Sequence, residues 1–221
     1  MVVTHQQVDA LNRFLHTTYG RERACRLIQY FSRFYVFYLT RQGASQVDIQ
    51  RWVELKQHLA NARKFFRLLK PIEFAQSGIK ALDVSDEVLR ITGVLKQVGM
   101  GLYYSAEVIV LANAIKFYQP KNIQQITDFG QKCWLLGLFA SLVSGLYKFK
   151  QLSIRSHMLT KERKYRNAEK DDSELKAREL AFRREKYNTS YQFIQDALDV
   201  VIPSSALGWL PADEGIVGIV G

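Results

Sequence analysis

Apolar residues recur with the period of an α-helix along most of this chain. An i, i+3, i+4, i+7 spacing places them on one face of each helix, and no segment stands out with the strict alternation of a half-buried strand. The chain is therefore predicted to be all-α: a bundle of amphipathic helices with one or two membrane-embedded or hairpin-like apolar helices. The second predicted helix is the clearest case, with an apolar face formed by Ala24, Leu27, Ile28, Phe31, Tyr35 and Tyr38.

Start and stop signals place the boundaries of these helices. The first helix is predicted to end at Gly20 and the second near Gly43, because glycine often follows the last helical turn. Ser45 opens a capping-box sequence, and the third helix runs from there to Lys70, where Pro71 ends or kinks it. Further helices are predicted at 72–82, at 85–118, from 128 through an apolar block at 134–147, and at 187–201.

The helices fall into four regions of different character. Residues 1–44 form an N-terminal helical pair, and 45–82 contain a basic amphipathic helix. Residues 83–157 hold the central apolar helices, which are a candidate membrane hairpin. The last region, 158–221, is predicted to contain a charged helix, a C-terminal helix and the start of an apolar tail. Its alternating charges at 161–186 are typical of a solvated helix or linker.

The net charge narrows the classes of partner. The chain of 221 residues has a formal charge of +10 at pH 7 and a pI of about 9.6. An excess of this size favours polyanions, either nucleic acid or a membrane surface rich in acidic lipids. Cys25 and Cys133 do not form a C-x-x-C motif, and the first residues lack the pattern of a secretory signal, so two reduced thiols in an intracellular protein are expected.

The third helix combines an apolar face with a basic one. Its apolar arc contains Leu55, Leu59, Ala62, Phe65, Phe66 and Leu69, and no acidic residue lies between Lys56 and Lys70. Such a helix can lie in a membrane interface, with apolar side chains at the acyl boundary and cations at anionic headgroups. An ordinary bundle helix with a solvated basic face has the same pattern. The predicted membrane-binding residues are Lys56, Leu59, Arg63, Lys64, Phe65, Phe66, Arg67, Leu69 and Lys70.

Two downstream segments approach the length of a membrane span, which is about 20 apolar residues. Val98–Ile115 is long enough but contains Glu107 and Asn113. Residues 134–147 carry no charge but are short, and aromatic residues stand at both ends, as interface anchors do. A span, a partly inserted hairpin and a buried core helix all remain open for this block. Its candidate membrane residues are Trp134, Leu135, Gly137, Phe139, Gly145 and Tyr147.

Catalytic and metal-binding motifs are not recognisable in the sequence. The four histidines are scattered, with no pair at metal-ligand spacing. Nucleophile-elbow, phosphate-loop and kinase motifs are also missing. The chain is therefore not expected to be an enzyme or to hold a metal or another cofactor.

Four ordered blocks of sequence carry a family resemblance. They are GRERACRLIQYFSRF at 20–34, ARKFFRLLKP at 62–71, CWLLGL at 133–138, and LGWL at 207–210 followed by GIVG at 215–218. Together they cover nearly the whole chain, and their order is more specific than any single block. They resemble the signatures of the peroxin-eleven family, of fungal type, whose members usually continue past the last block with more of an apolar segment.

The resemblance implies a function at the peroxisomal membrane. The amphipathic helix would insert into the cytosolic leaflet of an anionic phospholipid membrane, elongate or tubulate it and so promote peroxisome division. The family also self-associates, so a homo-oligomer is expected. A dynamin-related GTPase and its membrane receptor are the further partners that the resemblance implies.

Two other classes of function are alternatives to membrane remodelling. A pore for small metabolites would use Glu107 and Asn113 as the polar lining of the helix at 98–115. A nucleic-acid binder would use the basic excess, but the chain has no helix-turn-helix, zinc-finger or RNA-recognition pattern. Nucleic acid is therefore not an expected partner.

Overall fold

All the regular elements in the described part of the chain are α-helices. The computed structural model describes residues 4–165, 172–211 and 213–220. The all-α prediction is confirmed. Within these ranges, one stretch, Ile123–Lys161, is long and apolar enough to cross a membrane by length and composition. The helices are α1 (His5–Leu15), α2 (Thr18–Arg41), α3 (Gln46–Phe66), α4 (Lys70–Leu82), α5 (Glu87–Ala114), α6 (Ile123–Tyr165), α7 (Asp172–Asp199), α8 (Val201–Ala206) and α9 (Glu214–Val220).

A hairpin of α5 and α6 forms the centre of the fold. Gly99 on α5 lies so close to α6 that a Cβ added there would be 2.7 Å from the carbonyl oxygen of Cys133 and 2.9 Å from the backbone nitrogen of Gly137. Small residues let two helix backbones approach in this way, in membranes and in soluble bundles alike. Tyr103 extends the contact by stacking on Trp134, with ring centroids 4.8 Å apart. The predicted central apolar helices therefore pair with each other.

The other helices pack around this hairpin in two groups. α4 lies against α5, and α7 lies against α6. α2 pairs with α3 through aromatic side chains, among them Tyr35 and Trp52 at 4.7 Å between ring centroids. α9 also packs on α2 and buries Val217 completely. The apolar tail predicted as the start of a membrane segment is thus docked on the N-terminal pair in this structure.

The first predicted boundary is wrong by one turn. Gly20 does not end α1; it lies inside α2, and its backbone N–H donates to the Thr17 hydroxyl, which caps that helix. A Cβ at position 20 would come within 1.8 Å of the Phe14 carbonyl oxygen. Gly20 is therefore needed for the close approach of two consecutive helices rather than for a left-handed stop.

The break between the third and fourth helices also differs from the prediction. α3 ends at Phe66 rather than at Lys70, and residues 67–69 form a turn with i to i+3 hydrogen bonds. Pro71 lies in the first turn of α4, where its missing N–H would have no helical partner. The proline thus begins the new helix instead of kinking the old one.

Smaller differences affect the later boundaries. α5 ends at Ala114, four residues before the predicted end at residue 118, and α6 begins at Ile123 instead of 128. Pro203 lies within α8, in its first turn, where proline is tolerated. The charged run at 161–186 is helical at 161–165 and from Asp172 onward, and its residues 166–171 lie outside the described ranges.

Polarity is partly inverted between the inside and the outside of the fold. Large apolar side chains are exposed on several helices, whereas charged and polar side chains are buried between them. Scattered exposed apolar residues are ordinary in soluble proteins, but buried charges and contiguous apolar surface need a specific explanation. Among the residues whose side chains are described, the buried polar ones are Glu22, Ser32, Arg63, Thr92, Ser141, Asp196 and Asp199.

Candidate membrane-contact site

α4 carries apolar residues on two opposite faces. Its inner face packs on α5: the Phe74 ring stacks on Tyr104 with centroids 5.2 Å apart, and Gly78 approaches the side chain of Gln97. A helix that needed only this contact would be polar on the other side. The side away from α5 instead carries large exposed apolar side chains, with the polar Gln76 beside them. We call these apolar residues, Ile72, Ile79 and Leu82, the outer face of α4.

The outer face of α4 has no partner within the described chain. Ile72 and Ile79 are each 67% exposed, and so is Leu69 in the preceding turn. Lys70 and Lys80 belong to the same helix, so cations accompany the apolar surface. Apolar residues on one side with cations beside them are the features of a helix that lies in a membrane interface.

The cations predicted to contact lipid are arranged differently from the expectation. The ammonium group of Lys56 lies 3.5 Å from a carboxylate oxygen of Glu214, and Lys70 is ion-paired with Glu73. Lys64 is half-buried, and burial lowers its pKa although the charge of Glu107 acts in the opposite direction. The predicted basic face is thus not an open row of solvated cations in this structure.

Arg63 and Arg67 lie inside the protein, in what we call the buried ion cluster: Glu22, Arg63, Arg67 and Glu107. Arg63 Nε donates to Glu22 Oε1 at 2.9 Å, and Arg67 donates to the same oxygen. Arg67 Nη1 also lies 3.5 Å from Glu107 Oε2, so the cluster joins α2, the end of α3 and α5. The expectation that both arginines face outward is wrong for this conformation, because acids from two other helices attract them inward.

The cluster brings two guanidinium groups together with two carboxyl groups. Burial alone would raise the pKa of Glu22, but the charges and hydrogen bonds of Arg67 and Arg63 outweigh burial and lower it below its ordinary value. Arg63 Nη1 also donates to the Gln29 side chain at 2.7 Å, and the Tyr103 hydroxyl donates to Glu107 at 2.8 Å. Buried charges with such partners are tolerated, whereas an unpaired one would be costly.

The predicted apolar contact residues separate into two groups. Leu59 and Phe66 are half-buried between helices, whereas Phe65 and Leu69 are exposed. The exposed pair continues into the outer face of α4, so the apolar surface runs from the end of α3 into α4. It is shifted toward the C-terminus relative to the predicted helix.

The candidate membrane segment is divided between buried and exposed positions of α6. Leu135 and Gly137 are buried, with Gly137 against α5, and Gly145 is in contact with the Phe193 ring of α7. The Tyr147 hydroxyl donates to Asp86 at 2.9 Å, at the start of α5. Trp134 is half-buried on Tyr103, and Phe139 faces outward.

The outer surface of the α5–α6 hairpin is apolar over a membrane-like length. Between Lys132 and Lys148, the exposed side chains of α6 are apolar, and these two lysines are about 24 Å apart along the helix. The hydrocarbon core of a bilayer is about 30 Å thick. The exposed apolar residues are Leu136, Phe139, Val143 and Leu146 on α6, with Ile91, Leu95, Val98 and Leu102 on α5.

Sequence reasoning missed the outer face of α4 and the two acids of the buried ion cluster. The outer face had a signal, since Ile72 and Ile79 are seven residues apart while Phe74 and Ala81 repeat on the opposite side. Glu22 had none, because it lies 41 positions before Arg63 and no local pattern links them. The sequence indicates Glu107 as a polar residue in an apolar helix and as a candidate pore lining, but not as a partner of Arg67.

Comparison with known proteins agrees with the family resemblance. The profile of the family described as Peroxisomal biogenesis factor 11 (PEX11) matches residues 8–221. Peroxisomal membrane protein PMP27 of Saccharomyces cerevisiae is 28% identical over 225 residues, covering 100% of this chain and 92% of that protein. Peroxisomal biogenesis factor 11 of Schizosaccharomyces pombe is 24% identical, with 95% and 87% covered. No solved structure matches the chain significantly.

More distant relatives carry the same kind of name. Human Peroxisomal membrane protein 11A is 22% identical, covering 97% of this chain and 92% of that protein. The predicted localisation, the peroxisomal membrane, is confirmed by these relatives, and the family is a peroxisome-biogenesis family rather than a known enzyme family. Since the family profile covers residues 8–221, this chain belongs to the PEX11 family of peroxisomal biogenesis factors.

Proposed function

We propose that this protein elongates and tubulates the peroxisomal membrane by placing the outer face of α4 in the cytosolic leaflet, and that it thereby promotes peroxisome division. The observation that carries the proposal is the second apolar face of α4. Ile72 and Ile79 are two-thirds exposed while the opposite side of the same helix packs on α5. A helix held in this way can enter one leaflet as a wedge without leaving the protein.

The length of α4 favours an interfacial position over a span. Its 13 residues extend about 20 Å, which is shorter than the hydrocarbon core. Each cation near an anionic surface contributes about 1 kcal/mol, so Lys80 adds to the apolar contribution, whereas Lys70 is already paired with Glu73. Arg63, Lys64 and Arg67 would add more once they reach the surface.

The α5–α6 hairpin supports the proposal as a second membrane element. Its outer surface is apolar over about 24 Å of α6, and the helices are held together by close backbone contact at Gly99 and Gly137. We infer that this apolar surface is a second lipid-contact surface of the protein, beside the outer face of α4. Homo-oligomerisation, and recruitment of a dynamin-related GTPase through its membrane receptor, belong to the same proposal as later steps.

Flotation of the purified full chain with vesicles of graded anionic phospholipid content tests this function. We expect binding to increase with anionic content, and electron microscopy to show tubules where binding is strong. Binding without any change in vesicle shape would reject remodelling, and failure to float at any composition would reject membrane contact altogether.

A second candidate function, a pore for small metabolites, is favoured by a charged cavity of about 1290 Å³. The cavity lies between the α2–α3 pair and the helices α5, α6 and α7. Its lining includes Arg23, Lys96, Glu107 and Asp196, whereas the outer surfaces of α5 and α6 are apolar. A pore requires conductance in planar bilayers that changes with Glu107→Ala. If planar bilayers that contain correctly inserted protein show no conductance, this candidate function is ruled out.

A further inference from the structure

We propose that the buried ion cluster is an autoinhibitory latch: Glu22 and Glu107 occupy the guanidinium groups of Arg63 and Arg67, and an anionic phospholipid surface opens the latch by competing for them. The inference rests on the proposed membrane function and adds a closed state to it. In the closed state, the outer face of α4 is available to lipid but the two arginines are not. In the open state, the two arginines join it.

The geometry gives Glu22 the central position in the latch. One of its oxygens, Oε1, accepts hydrogen bonds from both Arg63 and Arg67. Glu22 is on α2, so these two bonds hold the end of α3 against α2. Arg67 then connects to α5 through Glu107 at 3.5 Å. A single carboxylate therefore restrains both guanidinium groups that the lipid-binding hypothesis requires.

The contact between the α2–α3 pair and α5 is poorly sealed by apolar packing. α3 packs mainly on α2 and meets α5 at few positions, and the charged cavity of about 1290 Å³ lies beside the cluster. Among the residues that line this cavity, Gln131 Oε1 is buried without a hydrogen-bond partner, and Arg23 Nε and Glu107 Oε2 have only longer ion-pair contacts, with Glu22 at 3.9 Å and Arg67 at 3.5 Å. Unsatisfied buried atoms carry a free-energy cost, so the closed state is held by ions rather than by a tight core.

Arginine is suited to exchange a carboxylate for a phosphate. Its planar guanidinium group matches both anions in bidentate geometry. The segment that would move already contains a break, since residues 67–69 form a turn between α3 and α4. Arg67 therefore lies at a natural hinge, and its release changes the direction of α3 relative to α4 without breaking either helix.

The test compares two full-length variants that change the net charge equally. Glu22→Gln keeps the shape of the side chain and removes the charge that holds the latch. Glu54→Gln removes an exposed charge on α3, where the carboxylate only accepts a hydrogen bond from Gln50. We expect Glu22→Gln to bind anionic vesicles between about fivefold and 150-fold more tightly than Glu54→Gln, the range of a typical coupling between two equilibria.

The result separates the latch from the function on which it rests. If the wild type binds anionic vesicles and the two variants bind equally, the latch is wrong and the membrane function stands. If neither the wild type nor Glu22→Gln binds, the membrane function fails and the latch with it.

A distance measurement in a protein whose buried ion cluster is unchanged tests the latch even if the Glu22→Gln variant does not fold. Spin labels are attached at the exposed positions Gln57 on α3 and Ser105 on α5, in a chain whose Cys25 and Cys133 are replaced by alanine. We expect the distance distribution to shift on binding anionic vesicles and to stay unchanged with neutral ones. An unchanged distribution in the vesicle-bound protein would overturn the latch.

Discussion

Replacing Ile72 and Ile79 by serine removes most of the outer face of α4 and leaves its packing on α5 intact. Both side chains are 67% exposed, so the double variant Ile72→Ser/Ile79→Ser creates no cavity in the fold. Full burial of an isoleucine side chain contributes about 1.5–3 kcal/mol. With two-thirds of each side chain available to lipid, the pair contributes about 2–4 kcal/mol to insertion.

This free energy converts to a large loss of vesicle binding. Since each 1.4 kcal/mol is a factor of ten, the partition coefficient should fall between about 30-fold and 700-fold. Sedimentation of the full chain with vesicles of fixed anionic content measures this coefficient. Tubule formation should fall with it, because the wedge and the binding surface are the same side chains.

A matched control separates the outer face of α4 from general surface hydrophobicity. Val47 on α3 and Leu180 on α7 are 63% and 70% exposed and lie on other helices. The double variant Val47→Ser/Leu180→Ser should bind vesicles as the wild type does. Equal losses in the two double variants, or no loss in either, would refute the assignment of the wedge to α4.

Two further predictions concern the packing that supports this surface. Gly99→Ala should destabilise the hairpin by about 1–3 kcal/mol in thermal unfolding, since the new Cβ would meet the Cys133 carbonyl oxygen. The control variant Gly101→Ala should be neutral or stabilising, because its Cβ would have its nearest neighbour at an ordinary 3.6 Å. Equal melting temperatures of the two variants would contradict the close approach of α5 and α6. Burial alone would raise the pKa of Glu214, but the hydrogen bond and charge of Arg33 and the charge of Lys56 lower this pKa below the ordinary 4.5. Docking of α9 on α2 should therefore be complete at neutral pH and should weaken as the pH falls below 4.5. Limited proteolysis at a series of acidic pH values measures this docking. Docking that tightens on acidification would contradict the ion pair.

The helical architecture could be predicted from the sequence because local pattern and tertiary packing agree there. The end of α2 near Gly43 and the cap at Ser45 are set by residues within one turn. The break at residues 16–17 could not be predicted in the same way. It depends on Thr17 as a cap and on the space that Gly20 leaves for the preceding helix, and glycine alone suggested a stop.

The burial of Arg63 and Arg67 could not be predicted from a helical wheel. The wheel gives the direction in which each side chain points, but it does not say whether that direction meets solvent or an acid on another helix. Glu22 comes from α2 and Glu107 from α5, at sequence separations that carry no periodic signal. The apolar outer face of α4 had a signal in Ile72 and Ile79, but the helical wheel was applied only to the preceding helix, which was predicted to end at Lys70.

The position of α4 in the bilayer tests the central claim most directly. Single spin labels at Ile72, Ile79 and Lys80, in a chain whose native cysteines are replaced by alanine, report the accessibility of each site to oxygen in lipid and to a water-soluble nickel complex. We predict that labels at positions 72 and 79 of vesicle-bound protein lie in the acyl region, whereas the label at position 80 remains accessible to nickel. Nickel accessibility that is equal and high at all three positions would contradict the account, because α4 would then lie in water while the protein is bound.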